Sequence, residues 1–200
     1  MQRWSGHQHA PKWQWPAQIE DVRAALAWIR AHAGEYDGDA GRIALIGRSA
    51  GAQLALVAAY EAAAPAVSAV VSFYGPVDLA QGWRVPPRPG PLDTHAMLEA
   101  FLGGTPDQFP QRYREASPIS HVAATSPPSL LIYGSRDHIV EAHFGRQLHQ
   151  RPQAAGASSV LLEIPWAEHA FDALQGGLSG QLSLAYTERF LARVLRMPSP

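Results

Sequence analysis

The chain has 200 residues, of which 46% are hydrophobic and 16% are charged, and its formal net charge is −1. This balance argues against partners recognised mainly by charge, such as nucleic acid or an anionic membrane. The length predicts a single domain over 1–200. The absence of cysteine excludes disulfides, a cysteine nucleophile and thiolate metal ligands. The N-terminus lacks the apolar core of a signal peptide and no apolar run reaches transmembrane length, so we expect a soluble, cytoplasmic protein.

Tryptophan, proline and histidine alternate irregularly over the first sixteen residues. Trp4, Trp13 and Trp15 predict an aromatic segment that packs on the body of the protein. The side chains of His7 and His9 have the chemistry of metal ligands, but no third ligand is evident. We therefore expect neither a metal nor a cofactor.

An amphipathic helix is the first predicted element. Ile19, Val22 and Leu26 recur at spacings of three and four, which predicts a helix over 17–33 that ends at Gly34. The further elements predicted before the middle of the chain are a strand over 42–46, a helix over 52–60 and a strand over 67–74.

The segment 75–120 is expected to be an insertion that acts as a lid or cap. Its proline-rich part, Trp83–Pro91, predicts no regular structure. A short helix is expected over 95–102, and Arg112–Ser120 is expected to be mostly loop. Long connections of this kind often form lids or substrate walls.

Strands and helices continue to alternate in the last part of the chain. The predicted elements are a strand over 129–133, a helix over 141–150 limited by Pro152, a strand over 160–164 and a helix over 179–195. The inner face of the last helix is expected to carry Leu182, Tyr186, Phe190 and Val194. This alternation predicts an α/β fold with a mostly parallel sheet and helices on both faces.

A serine stands at the predicted turn between the strand at 42–46 and the helix after it. Gly47 and Gly51 flank Ser49 in the pattern G-x-S-x-G. Such a strand-to-helix turn exposes a nucleophilic hydroxyl, and we expect both glycines to avoid clashes in the tight backbone. The backbone N–H of Ala50, in the first turn of the helix, is placed to stabilise an oxyanion.

An acid and a base follow at the ends of later predicted strands. Asp137 comes after the strand at 129–133, and His169 comes after the strand at 160–164. The carboxyl ends of parallel strands meet at one edge of a sheet. We therefore predict a triad of Ser49 as nucleophile, His169 as base and Asp137 as the carboxylate that orients it. Asp137 would also suit the cap of the helix that follows it, which is the alternative to a role in the triad.

These motifs resemble those of the α/β-hydrolase superfamily, in the esterase and lipase group related to hormone-sensitive lipase and the bacterial carboxylesterases. Gly47–Gly51 is similar to the group's G-D-S-A-G, Gly134–Val140 to its G-x-x-D-x-x-V, and Glu168–Phe171 to its H-x-F segment. Arg3–Ser5 with Trp15–Val22 resembles its Y-R-L-A-P-E … F-P-A-A-x-E-D-V segment. The resemblance implies a shortened α/β-hydrolase domain.

The chain departs from that group in one respect. Group members have further strands before the point where this sequence begins, and one connection there carries an H-G-G motif that supplies oxyanion donors. No H-G-G occurs here, so the resemblance assigns only the N–H of Ala50 to that role. The usual neighbour of the strand at 42–46 would also be missing, which leaves an apolar sheet edge. We expect homo-oligomers that bury this edge or the apolar surface beside it.

Three functions are compatible with these residues. The first is hydrolysis of short-chain carboxylic esters, a small-molecule substrate, through an acyl-enzyme on Ser49, with pocket walls expected from Trp83, Trp166 and Phe171. The second is a peptidase or acylaminoacyl-hydrolase, since oligopeptidase domains share this elbow and triad. The third is a weakly active fold with a binding role, which the missing H-G-G favours.

Overall fold

The computed structural model describes residues 9–61, 67–86, 92–174 and 176–195. At their centre four strands form one sheet: β1 (Ala44–Arg48), β2 (Ala69–Phe73), β3 (Ser129–Gly134) and β4 (Ser159–Ile164). The strands lie in chain order, and each neighbouring pair is parallel. The prediction of an α/β fold with a parallel sheet is confirmed.

Helices connect and cover the strands. They are α1 (Ala17–His32), α2 (Ala50–Tyr60), α3 (Leu79–Arg84), α4 (Thr94–Leu102), α5 (Pro110–Ala116), α6 (Ala142–Ala155) and α7 (Leu178–Val194). Short 3₁₀ turns lie at Ala33–Tyr36, Pro118–Ser120 and Phe171–Ala173. Among the described residues, none of the helices combines the length and apolarity that crossing a bilayer requires.

The central strands are buried on both faces. Every residue of β2 and of β3 is buried, and successive side chains of a strand point to opposite faces of the sheet. Both faces must therefore be covered: α2 packs on β1 and β2, α6 on β3 and β4, and α7 on β2 and β3. This confirms the prediction of helices on both faces.

In the part of the chain that the structure describes, β1 is an edge strand of the sheet. Within the described residues β1 pairs only with β2, and the Ile46 side chain is 51% exposed. Ile43 and Leu45 are partly buried against the cluster formed by α1, α2 and the helices α3–α5. The predicted apolar sheet edge is therefore present, and it is only partly covered.

Regular structure in the segment 75–120 is more extensive than predicted. Trp83 and Arg84 belong to α3, which Asp78 begins by accepting a hydrogen bond from the Gln81 N–H. Arg112–Ser120, expected to be mostly loop, contains most of α5 and a 3₁₀ turn. Pro110 suits the first turn of α5 because an N–H at that position would have no acceptor within the helix, so its absence costs no hydrogen bond.

Pro152 does not limit the helix before it as predicted. It lies inside α6, which continues to Ala155 and ends at Gly156 with φ 85°. Proline lacks a backbone N–H, so α6 loses one ladder hydrogen bond at this position, and the ring is buried.

The inner face of α7 also differs from the prediction. Its buried residues are Gly180, Ser183 and Thr187, whereas Tyr186 is 41% exposed. The hydroxyl of Ser183 donates to the Gly180 carbonyl and that of Thr187 to the Ser183 carbonyl. Because the helix itself satisfies these hydroxyls, small polar residues can face the core. Leu182 and Phe190 are partly buried against the core, as expected.

Candidate active site

Ser49 occupies the sharp turn between β1 and α2. Its backbone has φ 51° and ψ −122°, a conformation that L-residues rarely adopt. A Cβ on residue 47 would lie 2.3 Å from the Gly51 carbonyl oxygen and 2.5 Å from the Ala52 Cα, so this position requires glycine. A Cβ on residue 51 would have no described heavy atom within 4 Å. The expectation that both glycines avoid clashes is therefore wrong for Gly51.

The structure brings the three predicted reactive residues together. The Nε2 atom of His169 lies 3.1 Å from the Ser49 Oγ, and its Nδ1 atom lies 2.7 Å from the Asp137 Oδ2. The side chain of His169 is 14% exposed and that of Asp137 is 0% exposed. With Nδ1 donating to the carboxylate, Nε2 is free to accept the proton of the serine hydroxyl.

Asp137 is held by the backbone of the connection between β3 and α6. Its Oδ1 atom accepts hydrogen bonds from the backbone N–H groups of Ile139 and Val140, both at 2.8 Å. One carboxylate oxygen thus anchors the side chain while the other faces His169. The same loop geometry that would suit a helix cap here fixes the carboxylate that bonds His169.

His169 is packed against the aromatic ring of Tyr74. The two ring centroids are 4.5 Å apart, and Phe171 meets the same tyrosine edge-on at 5.3 Å. Tyr74 directly follows β2 and has φ 44°, while Ala170, after His169, has φ 57°. Left-handed backbone costs a non-glycine residue about 1–2 kcal/mol, so surrounding contacts must hold both residues.

A polar cluster of Arg48, Tyr74 and Asp172 lies beside this ring pair. Asp172 accepts a hydrogen bond from the Tyr74 hydroxyl at 2.5 Å and a second from the Arg48 Nε. Burial of Asp172 opposes its charge, but these two bonds outweigh burial and hold the pKa of its carboxyl below the usual value. The bond to Asp172 raises the pKa of the Arg48 guanidinium. Burial, together with the bond to Asp172, raises the pKa of the Tyr74 phenol.

Two cavities adjoin the serine. A cavity of about 190 Å³ opens at Ser49 and is lined mainly by apolar side chains of the segment 75–120 and of the connection into α6. Its lining includes Asp78, Leu79, Gly82, Leu92, Thr94, Met97, Leu98, Phe101, Ile139, Val140 and Phe144. An open apolar groove of about 700 Å³ lies between α1, β1, α2 and α4. Ala50 borders both spaces, and as the first residue of α2 its N–H has no acceptor within the helix.

The aromatic residues expected to bind substrate lie elsewhere. The Trp83 indole donates to the Glu99 carboxylate at 3.0 Å and its ring packs on His95. Trp166 is 47% exposed and donates to the Ser179 hydroxyl. Phe171 packs on the rings of Phe73 and Tyr74. None of the three lines either cavity beside Ser49.

Among the described residues, no group of three or more histidine, aspartate and glutamate side chains is arranged to hold a metal ion. His9 lines the open groove, and His7 lies outside the described residues.

Sequence reasoning missed the roles of Arg48, Tyr74 and Asp172 in this cluster. Arg48 stands where the G-D-S-A-G motif has an acid, and Asp172 follows His169 by three residues. The available signal was that Arg48 is basic where the motif has an acid, because a basic residue at that position can bond an acidic partner.

Comparisons with known proteins show which family the chain resembles. The sequence model of the BD-FAE family matches residues 5–151. Probable carboxylic ester hydrolase LipM of Mycobacterium tuberculosis is 33% identical over 200 residues, which cover 94% of this chain and 46% of LipM. Esterase LipC of the same organism is 37% identical over 185 residues, which cover 86% of this chain and 45% of LipC. The chain thus spans less than half the length of these curated relatives.

Solved structures show the same fold. A truncated form of a carbohydrate esterase from gut microbiota superposes with a TM-score of 0.77 at 25% identity, covering 92% of this chain and 72% of that one. The resemblance drawn from the motifs is confirmed: the chain belongs to the BD-FAE family and has the α/β-hydrolase fold.

Proposed function

We propose that the protein is a serine hydrolase that cleaves short-chain carboxylic esters through an acyl-enzyme on Ser49. One observation carries the proposal: Ser49, His169 and Asp137 form a continuous hydrogen-bonded line that ends at a small apolar cavity. The esterase names of relatives such as LipM and LipC support the same reaction class.

The geometry supports a two-step reaction. The Ser49 Oγ attacks the ester carbonyl carbon while its proton passes to the His169 Nε2. The Ala50 N–H stabilises the resulting oxyanion. The imidazolium then gives its proton to the leaving alkoxide, so that an alcohol departs and an acyl-serine remains. Water attacks that acyl group with His169 again as base, which releases the acid and restores Ser49.

The small cavity supports a short acyl group. Its volume of about 190 Å³ is below the ~300–1,000 Å³ of pockets that hold drug-sized ligands. A series of p-nitrophenyl esters from acetate to octanoate tests this, with kcat/KM expected to be highest at acetate to butyrate. Leu98→Ala enlarges the cavity and should shift the optimum to longer acids. Leu54→Ala, which lines only the open groove, is the matched control and should leave it unchanged.

The segment 75–120 acts as the wall of this cavity in the proposed enzyme. Apart from the elbow and α2, most of the lining residues belong to this segment, and they include residues of α3 and α4. The acyl preference is therefore set by this segment.

The homo-oligomer that the sequence predicts would form through the open edge of β1. Ile46 projects there at 51% exposure beside the apolar groove, and an unpaired strand edge favours pairing with another strand. Light scattering at micromolar concentration should give a mass above one chain, and Ile46→Lys should reduce it. Leu184→Lys on α7, at 50% exposure, is the matched control because it lies on a helix and not on an edge strand. A monomeric mass for the wild type contradicts the association.

Hydrolysis of p-nitrophenyl acetate and butyrate by the wild type and by Ser49→Ala tests the reaction itself. The wild type should release p-nitrophenol and Ser49→Ala should not. Equal rates for the two proteins would refute the proposal, and faster cleavage of a peptide anilide by the wild type would favour a peptidase instead.

A further inference from the structure

Three polar residues outside the triad meet beside His169. Arg48 is the residue before Ser49, Tyr74 follows β2, and Asp172 lies three residues after His169. The Tyr74 hydroxyl and the Arg48 guanidinium both donate to the Asp172 carboxylate. This Arg48–Tyr74–Asp172 cluster therefore ties the turn that follows His169 to the strand ends of β1 and β2.

Burial separates this cluster from an ordinary surface ion pair. The Asp172 side chain is only 7% exposed, although that of Arg48 is 61% exposed. A buried carboxylate requires its partners, because burial without them disfavours its charge. The Arg48 guanidinium also lies over the Phe73 ring, at 5.2 Å from the centroid, which restricts its position.

Tyr74 connects the cluster to the catalytic imidazole. Its hydroxyl bonds Asp172, while its ring packs on the ring of His169 with centroids 4.5 Å apart. The residue is 2% exposed and has a left-handed φ of 44°. Strained backbone at a bulky residue beside a reactive group is typical of functional sites.

The imidazole needs more than one restraint to serve as base. The bond to Asp137 fixes Nδ1, but the ring can still tilt about that bond and move Nε2 away from Ser49. Contact with the Tyr74 ring limits the tilt, and the link from Asp172 to Arg48 fixes the turn after His169 relative to the residue adjoining Ser49. Displacements of about 1 Å in such a site lower rates by roughly 100-fold.

We propose that Arg48, Tyr74 and Asp172 are positioning residues that hold the His169 imidazole within hydrogen-bond distance of the Ser49 hydroxyl. The proposal rests on the function proposed above, since it names what keeps that triad aligned. Specifically, the cluster maintains the 3.1 Å separation between Nε2 and Oγ. It does not form the acyl pocket, because none of its members lines the cavity at Ser49.

Single substitutions that keep side-chain shape test this role. Arg48→Met, Asp172→Asn and Tyr74→Phe should each lower kcat for p-nitrophenyl acetate about 10- to 100-fold with KM within about threefold. Arg48→Lys retains the charge and should recover part of kcat. The double variant Arg48→Met/Asp172→Asn should be no slower than Asp172→Asn alone, because both substitutions remove the same contact between Arg48 and Asp172.

An ion pair remote from the site provides the matched control. Arg146 pairs with Glu163 at 2.7 Å and its side chain is 51% exposed, so Arg146→Met removes a comparable arginine and should leave kcat unchanged. Rates are normalised to the active sites titrated by an organophosphorus reagent, which separates misfolding from misalignment. A kcat within twofold of the wild type in both Tyr74→Phe and Asp172→Asn, or additive losses in the double variant, would overturn the proposal.

A readout without turnover distinguishes this proposal from the proposed function. Proton NMR of the wild type should show a downfield Nδ1–H resonance of His169, assigned by its loss in His169→Gln, that is weakened in Tyr74→Phe and Asp172→Asn and unchanged in Arg146→Met. If Ser49→Ala and the wild type were equally active, the proposed function would fail, and this resonance would still decide the positioning role. A resonance in Tyr74→Phe and Asp172→Asn that is identical to that of the wild type overturns the positioning role.

Discussion

The two glycines of the elbow should respond in opposite ways to alanine. A Cβ at residue 47 would approach the Gly51 carbonyl oxygen to 2.3 Å, whereas carbon and oxygen approach only to about 3.3 Å even in weak C–H···O contacts. The elbow must therefore open by about 1 Å. A Cβ at residue 51 would have no described atom within 4 Å, although both glycines belong to the same motif.

The magnitudes follow from that difference. Overpacking costs about 1–3 kcal/mol and sometimes more, and the clash of Gly47→Ala is with backbone that cannot rotate away. We expect a loss of about 3 kcal/mol, which lowers Tm by roughly 6–12 °C in a protein of this size. Moving Ser49 by about 1 Å should also lower kcat/KM about 100-fold or more. Gly51→Ala should keep activity and gain up to about 1 kcal/mol, because alanine favours the helix.

Thermal unfolding and p-nitrophenyl acetate hydrolysis of both variants measure these effects. The wild type is the reference, and Gly51→Ala is the matched control for adding one methyl group to the elbow. Equal losses in the two variants, or a Gly47→Ala protein with the Tm and rate of the wild type, would refute the reasoning.

Three further predictions concern the triad and the core. Asp137→Asn should fold, because its oxygen can still accept the backbone N–H groups that hold it, but kcat should fall about 10³–10⁴-fold as the imidazole loses its carboxylate. Burial raises the pKa of Tyr60 from 10.0 to about 12, because the folded protein favours the neutral phenol. The contribution of Tyr60 to the free energy of unfolding is therefore complete below pH 10 and is lost as the pH rises towards 12. In urea unfolding, the free energy of unfolding of Tyr60→Phe should fall less at alkaline pH than that of the wild type, by about 2–3 kcal/mol at pH 12. An equal fall in the two proteins contradicts this prediction. Leu131→Ala, at a position with 0% exposure, should lower the free energy of unfolding by about 2–5 kcal/mol. Val160→Ala, at 42% exposure, should change it by much less, and similar losses would count against the burial argument.

The sequence alone predicted the four strands of the sheet, most of the helices and the three residues that meet at the elbow. Its signals were local: apolar runs of strand length, periodic apolar residues, and a Gly-x-Ser-x-Gly turn between them. Parallel strands bring their carboxyl ends to one edge, so placing Ser49, Asp137 and His169 after strands sufficed to predict their meeting. In the structure His169 lies between the other two residues and within hydrogen-bond distance of both Ser49 and Asp137.

Only the tertiary structure decided what surrounds the triad. Trp83 and Trp166 are aromatic residues of a type that often lines pockets, yet their indoles donate to Glu99 and Ser179 instead. The spacing of residues along the chain does not predict such contacts between distant segments. The inner face of α7 was predicted only in part: Leu182 and Phe190 pack on the core, but the small polar residues that also face it, satisfied by the helix's own carbonyls, were not predicted.

The elbow itself shows the division most clearly. The pattern predicted a tight turn at Ser49, but only the folded backbone distinguished a required glycine at 47 from a permitted one at 51. Arg48 and Asp172 are 124 residues apart in the chain. A base in place of an acid marks Arg48 within the elbow, but nothing in the sequence identifies Asp172 as its partner. Their contact depends on the fold bringing the end of β1 to the turn after His169, and a long-range contact of this kind has no signature in local sequence.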